Sequence, residues 1–284
     1  MKKNMNKNYF EVLRPGINST FQDNGRNNFY HIGIPFSGAM DNRNFLLANT
    51  ISNNGINNPV LEFAYQGPKL KYIGENISIN VTGDVNFKII RKNKNLEFSC
   101  YENIILENND CLDILSTNRS VYGYLSIGGT FEVDYYLNSC STNTKAKIGA
   151  NSGEKLEKGQ IIQLKNIKKI LPKNKIEYLN SKIENIRIIK GPHFDYFSKD
   201  AIDSFFSDEF NVTKLSDRMG IRLKGPKISN IKNTNIKSEG LVKGVIQITA
   251  DGDPIIMLSD HGTIGGYPKI GVVTVSYTHL RAHE

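Results

Sequence analysis

The amino-acid sequence predicts a mainly β protein with a few short helices. Most of the chain consists of short apolar runs separated by Gly and Asn, which is the pattern of strands joined by tight turns. Only two stretches place apolar residues at helical spacing. Hydrophobic residues make up 39% of the 284 residues and charged residues 23%, as is typical of a folded globular protein. This length is sufficient for one large domain or two of modest size.

The first half of the chain supplies most of the predicted strands. Ile77, Ile79 and Val81 alternate with polar residues, so their strand is expected to be half-buried. The polar turn 92–95 lies between two apolar runs and predicts a hairpin. Asp41 is placed to cap a helix that ends near Ile51. The strands predicted in this half are 77–82, 87–91, 96–99, 104–106, 111–115, 122–127 and 161–164.

The Lys- and Asn-rich stretch 165–185 separates two series of strands and is interpreted as an interdomain connection. After it, one amphipathic helix is predicted over 193–206, because Phe194, Phe197, Ala201 and Phe205 recur at helical spacing and form a core-facing stripe. The strands predicted in this half are 186–189, 244–249, 254–259 and 270–275. The predicted organisation is an N-terminal lobe at 8–165, a connection at 166–185, a C-terminal lobe at 186–275 and a tail at 276–284.

Charge and composition exclude several classes of protein. The net charge of +8 comes from lysines scattered among Asn and Ile, which predicts a solvated surface and no nucleic-acid partner. No run approaches the roughly 18 apolar residues that cross a bilayer. No apolar segment follows the basic N-terminus, so a cytoplasmic protein is expected. Cys100, Cys111 and Cys140 lack metal-ligand spacing, and we expect buried free thiols and no metal site.

Three positions in the first half are candidates for a binding site. Gln22, Asp23 and Arg26 combine an amide, a carboxylate and a bidentate donor in one loop. This set suits a carboxylate, phosphate or ureido ligand, or an internal Asp–Arg pair. Ser37 lies where Ser-Gly-Ala leads into the predicted helix, and backbone N–H groups there suit an anion. Glu62 is either a buried general base or a strand residue that faces solvent.

A fourth candidate cluster is rich in charge. Ser216, Asp217, Arg218 and Arg222 follow one another closely in the sequence. The two arginines suit an acidic or phosphorylated ligand, while a turn held by an Asp217–Arg218 pair is the structural alternative.

The remaining candidates lie near the end of the chain. Glu239 and Gln247 fall on neighbouring predicted strands. Beyond them, Gly265 and Gly266 allow the backbone to approach a ligand closely.

The side chains that flank these glycines are Thr263 and Tyr267, and the tyrosine offers a ring and a hydroxyl. The cluster is neither a Walker A loop nor a dinucleotide fingerprint, so the sequence alone does not place a nucleotide. His31 and His193 stand apart from these groups and are expected to be structural.

Several sequence blocks resemble those of one family. In order they are Gln22-Asp23-x-Gly25-Arg26, Gly33-x-Pro35-x-Ser37-Gly38-Ala39-Met40-Asp41, Leu61-Glu62 with Gly67-Pro68, Gly123-Tyr124-Leu125-x-Ile127-Gly128-Gly129, Ser216-Asp217-Arg218-Met219-Gly220-x-Arg222-Leu223-x-Gly225, Ser238-Glu239-Gly240, Gly244-x-Ile246-Gln247, Asp251-Gly252-x-Pro254-Ile255 and Thr263-x-Gly265-Gly266-Tyr267-Pro268-Lys269-Ile270. From Phe10 to Val275 the chain is therefore similar to the family of 5-oxoprolinase C subunits and biotin-dependent carboxyltransferases, also called allophanate hydrolase subunit 2 and related to urea amidolyase.

The resemblance implies two cyclophilin-like β-barrel lobes and a role beside partner proteins. Bacterial family members act with the A and B subunits of 5-oxoprolinase to open 5-oxo-L-proline to L-glutamate at the expense of ATP. In that role, ATP is shared with the complex at a site that the resemblance does not assign, and biotin is not required.

Two other functions remain open. Similar proteins act as regulatory antagonists that bind a sporulation-kinase inhibitor-like protein. A related domain moves a carboxyl group from carboxybiotin to urea.

Roles for individual residues are a hypothesis that rests on the chemistry of these blocks. The residues expected to act in catalysis are Gln22, Asp23, Glu62 and Arg218. Those expected to bind substrate are Arg26, Ser37, Ser216, Asp217, Arg222, Glu239, Gln247, Thr263, Gly265, Gly266 and Tyr267. In this scheme Gln22, Asp23 and Glu62 position the ring or water, while the arginines hold a carboxylate or phosphate.

The sequence departs from the family pattern at three places. The segment 137–151 reads Asn-Ser-Cys-Ser-Thr-Asn where an Arg- and Gly-rich form is expected. Position 261 is His, where other polar or basic residues are frequent. The final strands of the family are expected to be missing beyond Val275, and 276–284 is interpreted as an artefactual tail that follows a C-terminal truncation.

Overall fold

The computed structural model describes residues 8–177, 185–232 and 234–274. These residues divide into two compact units. The N-terminal unit comprises residues 8–25 and 41–177, and the C-terminal unit comprises residues 26–40, 185–232 and 234–274. The lobe boundaries expected at 165 and 186 stay a prediction, and the expected tail at 276–284 lies outside the described residues.

The N-terminal unit consists mainly of short strands and contains the helix α1 (Asn42–Ile51). Its strands are β1 (Tyr9–Arg14), β2 (Thr20–Gln22), β3 (Val60–Ala64), β4 (Lys69–Ile73), β5 (Ile77–Thr82), β6 (Val85–Arg91), β7 (Lys94–Glu97), β8 (Ile104–Leu106), β9 (Cys111–Thr117), β10 (Tyr122–Ile127), β11 (Thr130–Phe131) and β12 (Ile161–Lys165). A short 3-10 helix lies at Ala150–Gly153.

These strands form two antiparallel sheets. One has seven strands in the order β11-β12-β1-β4-β9-β6-β7, and the other has five in the order β2-β3-β10-β5-β8. Phe10 and Leu70 of the first sheet belong to the same buried cluster as Phe63 and Ile79 of the second. The two sheets therefore share one hydrophobic core.

Strand β5 is predicted correctly, but the expectation that it is half-buried is wrong. All six of its residues are buried. The polar face is covered by α1: Asn80 Nδ2 donates to the Ala48 carbonyl at 3.1 Å, and Thr82 Oγ1 donates to the Asn44 carbonyl at 2.8 Å. These bonds to backbone oxygens satisfy the amide nitrogen of Asn80 and the hydroxyl of Thr82, which allows this face to be buried against a helix. The cap of α1 is confirmed, because Asp41 Oδ1 accepts from Asn44 N–H at 2.9 Å.

The hairpin of β6 and β7 is confirmed with a shorter turn than the predicted 92–95. Lys92 and Asn93 alone connect the strands, with φ angles of 48° and 65°. Positive φ at both central residues is the conformation of a two-residue hairpin turn. Lys94 and Asn95 therefore belong to β7. Strands β1 to β4 have no counterpart among the predicted strands, in part because β3 is buried at all five positions and lacks alternation.

The C-terminal unit contains the helix α2 (Lys199–Ser207). Its strands are β13 (Ile188–Lys190), β14 (Asn211–Val212), β15 (Gly220–Lys224), β16 (Glu239–Gly240), β17 (Val245–Ile248), β18 (Pro254–Met257), β19 (Ile264–Gly265) and β20 (Lys269–Val273). Six of them form one sheet in the order β13-β20-β17-β18-β15-β14. Strands β16 and β19 form a separate two-stranded sheet. Short 3-10 helices lie at Tyr30–Ile32 and Phe194–Tyr196.

The helix predicted over 193–206 is divided in the structure. The 3-10 turn Phe194–Tyr196 comes first, and α2 begins after Ser198, whose Oγ accepts from Ala201 N–H at 3.2 Å. Such an N-cap defines where a helix begins. The stripe is core, as predicted: Phe197 and Ala201 are buried in one cluster with residues of β17 and β20.

The mainly β class is confirmed. In the part of the chain that the structure describes, each sheet begins and ends at different strands, and no closed barrel is found there. The cyclophilin-like character of the lobes stays a prediction. No helix among the described residues is both long and apolar enough to cross a membrane. Of the three cysteines, only Cys140 is fully buried, so the expectation of buried thiols is wrong for Cys100 and Cys111, which are partly exposed.

Candidate functional site

The carboxylate of Asp23, directly after β2, is fully enclosed in the N-terminal unit. Its Oδ1 accepts from the hydroxyls of Ser139 and Ser141, both at 2.6 Å, and from Gly25 N–H at 2.9 Å. Its Oδ2 accepts from Cys140 N–H at 2.8 Å. Four donors satisfy this buried carboxylate and fix its position. Asp23 therefore joins β2 to the 139–141 loop, within the segment where the sequence departs from the family pattern.

The side-chain amide of Gln22 makes hydrogen bonds within the same unit. The side chain is buried, and Nε2 donates to Thr20 Oγ1 at 2.9 Å and to the Thr142 carbonyl at 3.0 Å. These bonds orient the amide within the N-terminal unit, so its oxygen and nitrogen can be told apart.

Glu62 lies at the centre of β3, opposite Thr20 of β2 and Tyr124 of β10. Only 1% of Glu62 is exposed, so the buried interpretation is confirmed and the solvent-facing alternative is wrong. Tyr124 donates its hydroxyl to Glu62 Oε2 at 2.8 Å and accepts from Asp41 N–H at 2.7 Å. Burial, together with the Glu62 charge, raises the pKa of Tyr124 well above its usual value. The phenol therefore stays protonated and serves as a donor to the carboxylate.

In the C-terminal unit, Arg218 pairs with Asp260. The Arg218 Nε lies 2.8 Å from Asp260 Oδ2, and Nη2 lies 3.1 Å from Oδ1. Such a two-point pair is stronger and more directional than a single contact. The expected partner Asp217 instead accepts from Met219 N–H at 2.8 Å and shapes the turn. Arg218 is therefore held by an ion pair, but its acidic partner is Asp260 and the predicted Asp217–Arg218 pair is wrong.

Three side chains hold three successive backbone carbonyls in this unit. Arg218 Nη2 donates to the Gly38 carbonyl at 2.7 Å, Ser259 Oγ to the Ala39 carbonyl at 3.4 Å, and Lys243 Nζ to the Met40 carbonyl at 3.1 Å. Donors placed side by side satisfy the carbonyls of an irregular segment. Ser37, just before them, is buried at a φ of 59°.

His261 lies beside this segment with 1% of its surface exposed. Its Nδ1 lies 2.6 Å from the Gly262 carbonyl, which can only accept, so Nδ1 carries the proton. Its Nε2 then accepts from the Tyr30 hydroxyl at 3.2 Å. Burial lowers the pKa of His261, partly offset by the Gly262 carbonyl and the Asp260 charge, and burial raises the pKa of Tyr30.

The third group in the C-terminal unit joins predicted and unexpected residues. Lys269 Nζ lies 2.8 Å from Glu239 Oε2, and His193 Nε2 lies 3.6 Å from Glu239 Oε1. Gln247 pairs with Lys269 across β17 and β20 and donates its Nε2 to the Tyr267 carbonyl at 3.1 Å. The structure thus brings Glu239, Gln247 and the 265–267 loop together around Lys269, which belongs to a family block but is not among the predicted site residues.

The other predicted site positions differ from one another in burial and in their hydrogen bonds. Arg222 lies exposed on β15, and its N–H donates to Ser216 Oγ at 3.0 Å, so this serine acts within its own turn. Arg26 is buried, and its N–H donates to the Phe36 carbonyl at 2.7 Å. The carbonyl of Thr263 accepts from Leu241 N–H at 3.0 Å.

Several residues that are not among the predicted site positions make contacts in these groups, and they include Tyr124, Lys243, Asp260, His261 and Lys269. Each lies within or next to a block that carries the family resemblance. Sequence spacing could not select them, because each contacts a residue far away in the chain, as Arg218 and Asp260 do across 42 positions.

The chain belongs to the family described as carboxyltransferase domain, subdomain A and B, whose sequence profile matches residues 32–282. It is 26% identical over 287 residues to the C subunit of 5-oxoprolinase from Escherichia coli K12, covering 95% of this chain and 86% of that protein. It is 30% identical over 295 residues to the urea amidolyase of Lachancea kluyveri, covering 93% of this chain and 16% of that protein.

A solved structure shares the fold. The crystal structure of TTHA0988 superposes with a TM-score of 0.85 at 26% identity, covering 100% of this chain and 55% of that one. The chain thus spans about half of the length of that structure (55%) and a small part of the urea amidolyase (16%).

Proposed function

We propose that the chain is the C component of a cytoplasmic, ATP-dependent 5-oxoprolinase. It would hydrolyse 5-oxo-L-proline to L-glutamate together with A-like and B-like partner proteins, and it would be inactive without them. The observation that carries this proposal is the alignment with the C subunit of 5-oxoprolinase along nearly the whole chain. Family membership alone supports a carboxyltransferase-type domain in an enzyme complex.

The two buried carboxylates suggest different roles in the reaction. Water must add to the ring carbonyl, the ring C–N bond must break, and the nitrogen must take up a proton. We assign the proton-accepting role to Glu62, whose carboxylate is buried in β3 and accepts a hydrogen bond from the Tyr124 hydroxyl. Asp23 is held by four donors, and its role is to position the loop.

The described residues single out no position for ATP. Arg218, a candidate phosphate clamp, is held by Asp260, and Arg222 lies exposed on a strand. Among residues 8–177, 185–232 and 234–274, no group of three His, Cys, Asp or Glu side chains is placed to hold a metal ion. We therefore assign ATP use to the complex and derive no step from it at this chain.

The proposal is tested by measuring L-glutamate released from 5-oxo-L-proline and ATP by a mixture of the chain with its A-like and B-like partners. Glutamate that forms only when this chain is present supports the proposal. Glu62→Gln should remove turnover while the complex still forms. A stable complex with the B-like partner but no turnover would reject the proposal and favour a regulatory antagonist.

A second candidate function is a carboxyltransferase component that uses carboxybiotin and urea or a similar amide. The family description and the match to urea amidolyase favour it. A biotinylated partner would be required in that case, so avidin should abolish the activity. Turnover that is insensitive to avidin would favour the 5-oxoprolinase.

A further inference from the structure

Lys269 on β20 is a buried cation with an exposed partner. Its side chain is 4% exposed, whereas that of Glu239 is 49% exposed. An ammonium has three hydrogen-bond donors and is costly to bury without a partner. Among the described residues, Glu239 Oε2 is the acceptor found for this ammonium, at 2.8 Å.

His193 places a second donor beside the same carboxylate. Its side chain is 9% exposed, and its Nδ1 accepts from Lys269 N–H at 3.4 Å. Because Nδ1 accepts, the ring proton of the neutral imidazole lies on Nε2. That nitrogen faces Glu239 Oε1 at 3.6 Å. Each carboxylate oxygen of Glu239 thus faces a different buried donor.

The backbone around this pair of donors leaves little room for side chains. A Cβ at Gly265 would lie 2.6 Å from Gln247 Nε2 and 2.9 Å from Leu241 Cδ1. Gly265 pairs with Glu239 across the two-stranded sheet. Glycine at this position therefore lets β19 lie close to Gln247, and Gln247 lies beside Lys269.

We propose that Lys269 and His193 form a binding site for the carboxylate of a small ligand, and that Glu239 occupies this site in the ligand-free chain. The donors are buried and fixed, while the acceptor lies on a two-residue strand and is half exposed. A ligand carboxylate can replace that of Glu239 one for one, and the buried ammonium remains paired throughout. The ligand tested is 5-oxo-L-proline, and this choice rests on the proposed function.

The test is binding of 5-oxo-L-proline to the full chain by calorimetry, with the His193 ring signals followed by NMR. Removing the internal competitor with Glu239→Gln should tighten binding by about tenfold or more if Glu239 fills the site about 90% of the time. Lys269→Gln should abolish binding. The double variant Glu239→Gln with Lys269→Gln keeps the pair neutral, so it should fold and still fail to bind. Lys224→Gln, which changes an exposed lysine paired with Asp253, is the matched control.

Two further measurements separate the site from the identity of the ligand. The carboxamide analogue of 5-oxo-L-proline should not displace Glu239, because it carries no charge. If acetate shifts the His193 signals more strongly in Glu239→Gln than in the unaltered chain, the carboxylate site holds even where 5-oxo-L-proline does not bind and the 5-oxoprolinase function fails. If Glu239→Gln changes neither the affinity nor the ring signals for either carboxylate, the inference is overturned.

Discussion

Arg218 and Asp260 form a two-point ion pair that a backbone hydrogen bond between the same two residues reinforces. The side-chain bonds measure 2.8 and 3.1 Å, and Asp260 N–H donates to the Arg218 carbonyl at 2.8 Å. The side chains are 10% and 3% exposed. Because Arg218 also binds the Gly38 carbonyl, one guanidinium joins three separate parts of the C-terminal unit.

This arrangement predicts a large stability cost for Arg218→Ala. Removing one partner of a buried ion pair leaves an uncompensated charge, which costs about 3–5 kcal/mol. The free energy of unfolding in urea is the measurement. The free energy of unfolding of Arg218→Lys should lie between those of the alanine variant and the unaltered chain, because lysine keeps the charge but lacks the planar guanidinium that makes the two-point contact. The exposed Arg222→Ala is the control and should stay within about 0.5 kcal/mol. Equal effects at both positions would contradict the structural role of the pair.

Tyr124→Phe should destabilise the N-terminal unit by about 1–3 kcal/mol, because it removes the hydroxyl that donates to Glu62 while leaving the carboxylate buried. Urea unfolding measures this cost. If Glu62 is the base, the variant should also shift the acidic limb of the pH–rate profile of glutamate release to higher pH, because a carboxylate that loses a donor is easier to protonate.

Tyr9→Phe, on the partly exposed strand β1, provides the matched control and should change neither quantity. A loss of stability without a change in the pH profile would leave Tyr124 structural and would argue against Glu62 as the base.

The buried His261 predicts a loss of stability in acid. Burial lowers its pKa below 6.5, so the unfolded chain takes up a proton near pH 6.5 while the folded chain remains neutral. Between the folded and unfolded pKa values the unfolded state binds more protons, and stability therefore decreases as pH falls. Above pH 6.5 both states are neutral and this contribution is fully present. Unfolding free energies measured between about pH 8 and pH 5 test the prediction.

His261→Gln should flatten the pH dependence over this range, even if it lowers stability at every pH. The groups near the ring include Asp260, whose charge raises the pKa of His261, and Lys243, whose charge lowers it. The exposed His31→Gln is the control and should retain the slope of the unaltered chain. A slope that survives in His261→Gln would assign the acid sensitivity to other groups.

The sequence predicts elements better than it predicts their surroundings. Alternation at 77–82 places β5 correctly, but it cannot show that α1 lies over the polar face, since this depends on contacts with Ala48 and Asn44. Strand β3 is missed because burial on both faces removes the alternation. Alternation therefore identifies a strand without showing whether its polar face is buried, and a strand that lacks alternation can be overlooked.

The candidate site shows a similar limit: the sequence selects single positions but not the residues that contact them in the folded chain. Glycine-rich and polar blocks select Glu239, Gln247 and Gly265, which the structure brings together. The partner that makes them a charged cluster is Lys269, a buried residue in a strand where lysine is not expected. Likewise, the sequence selects Arg218 but suggests Asp217 as its acidic partner. The actual partner is Asp260, because the tertiary fold and not adjacency in the chain decides which residues pair.

A pair of glycines gives a direct test of the packing around Gln247. Gly265→Ala would place a Cβ 2.6 Å from Gln247 Nε2. Gln247 is 3% exposed and donates to the Tyr267 carbonyl, so it must break this bond to move away. The expected cost is about 0.5–1.5 kcal/mol for the lost hydrogen bond. At Gly240, also in the two-stranded sheet, a Cβ would meet no atom of the described residues within 4 Å beyond its chain neighbours, so Gly240→Ala should stay within about 0.5 kcal/mol. If both variants unfold at the same urea concentration as the unaltered chain, Gly265 is not packed against Gln247.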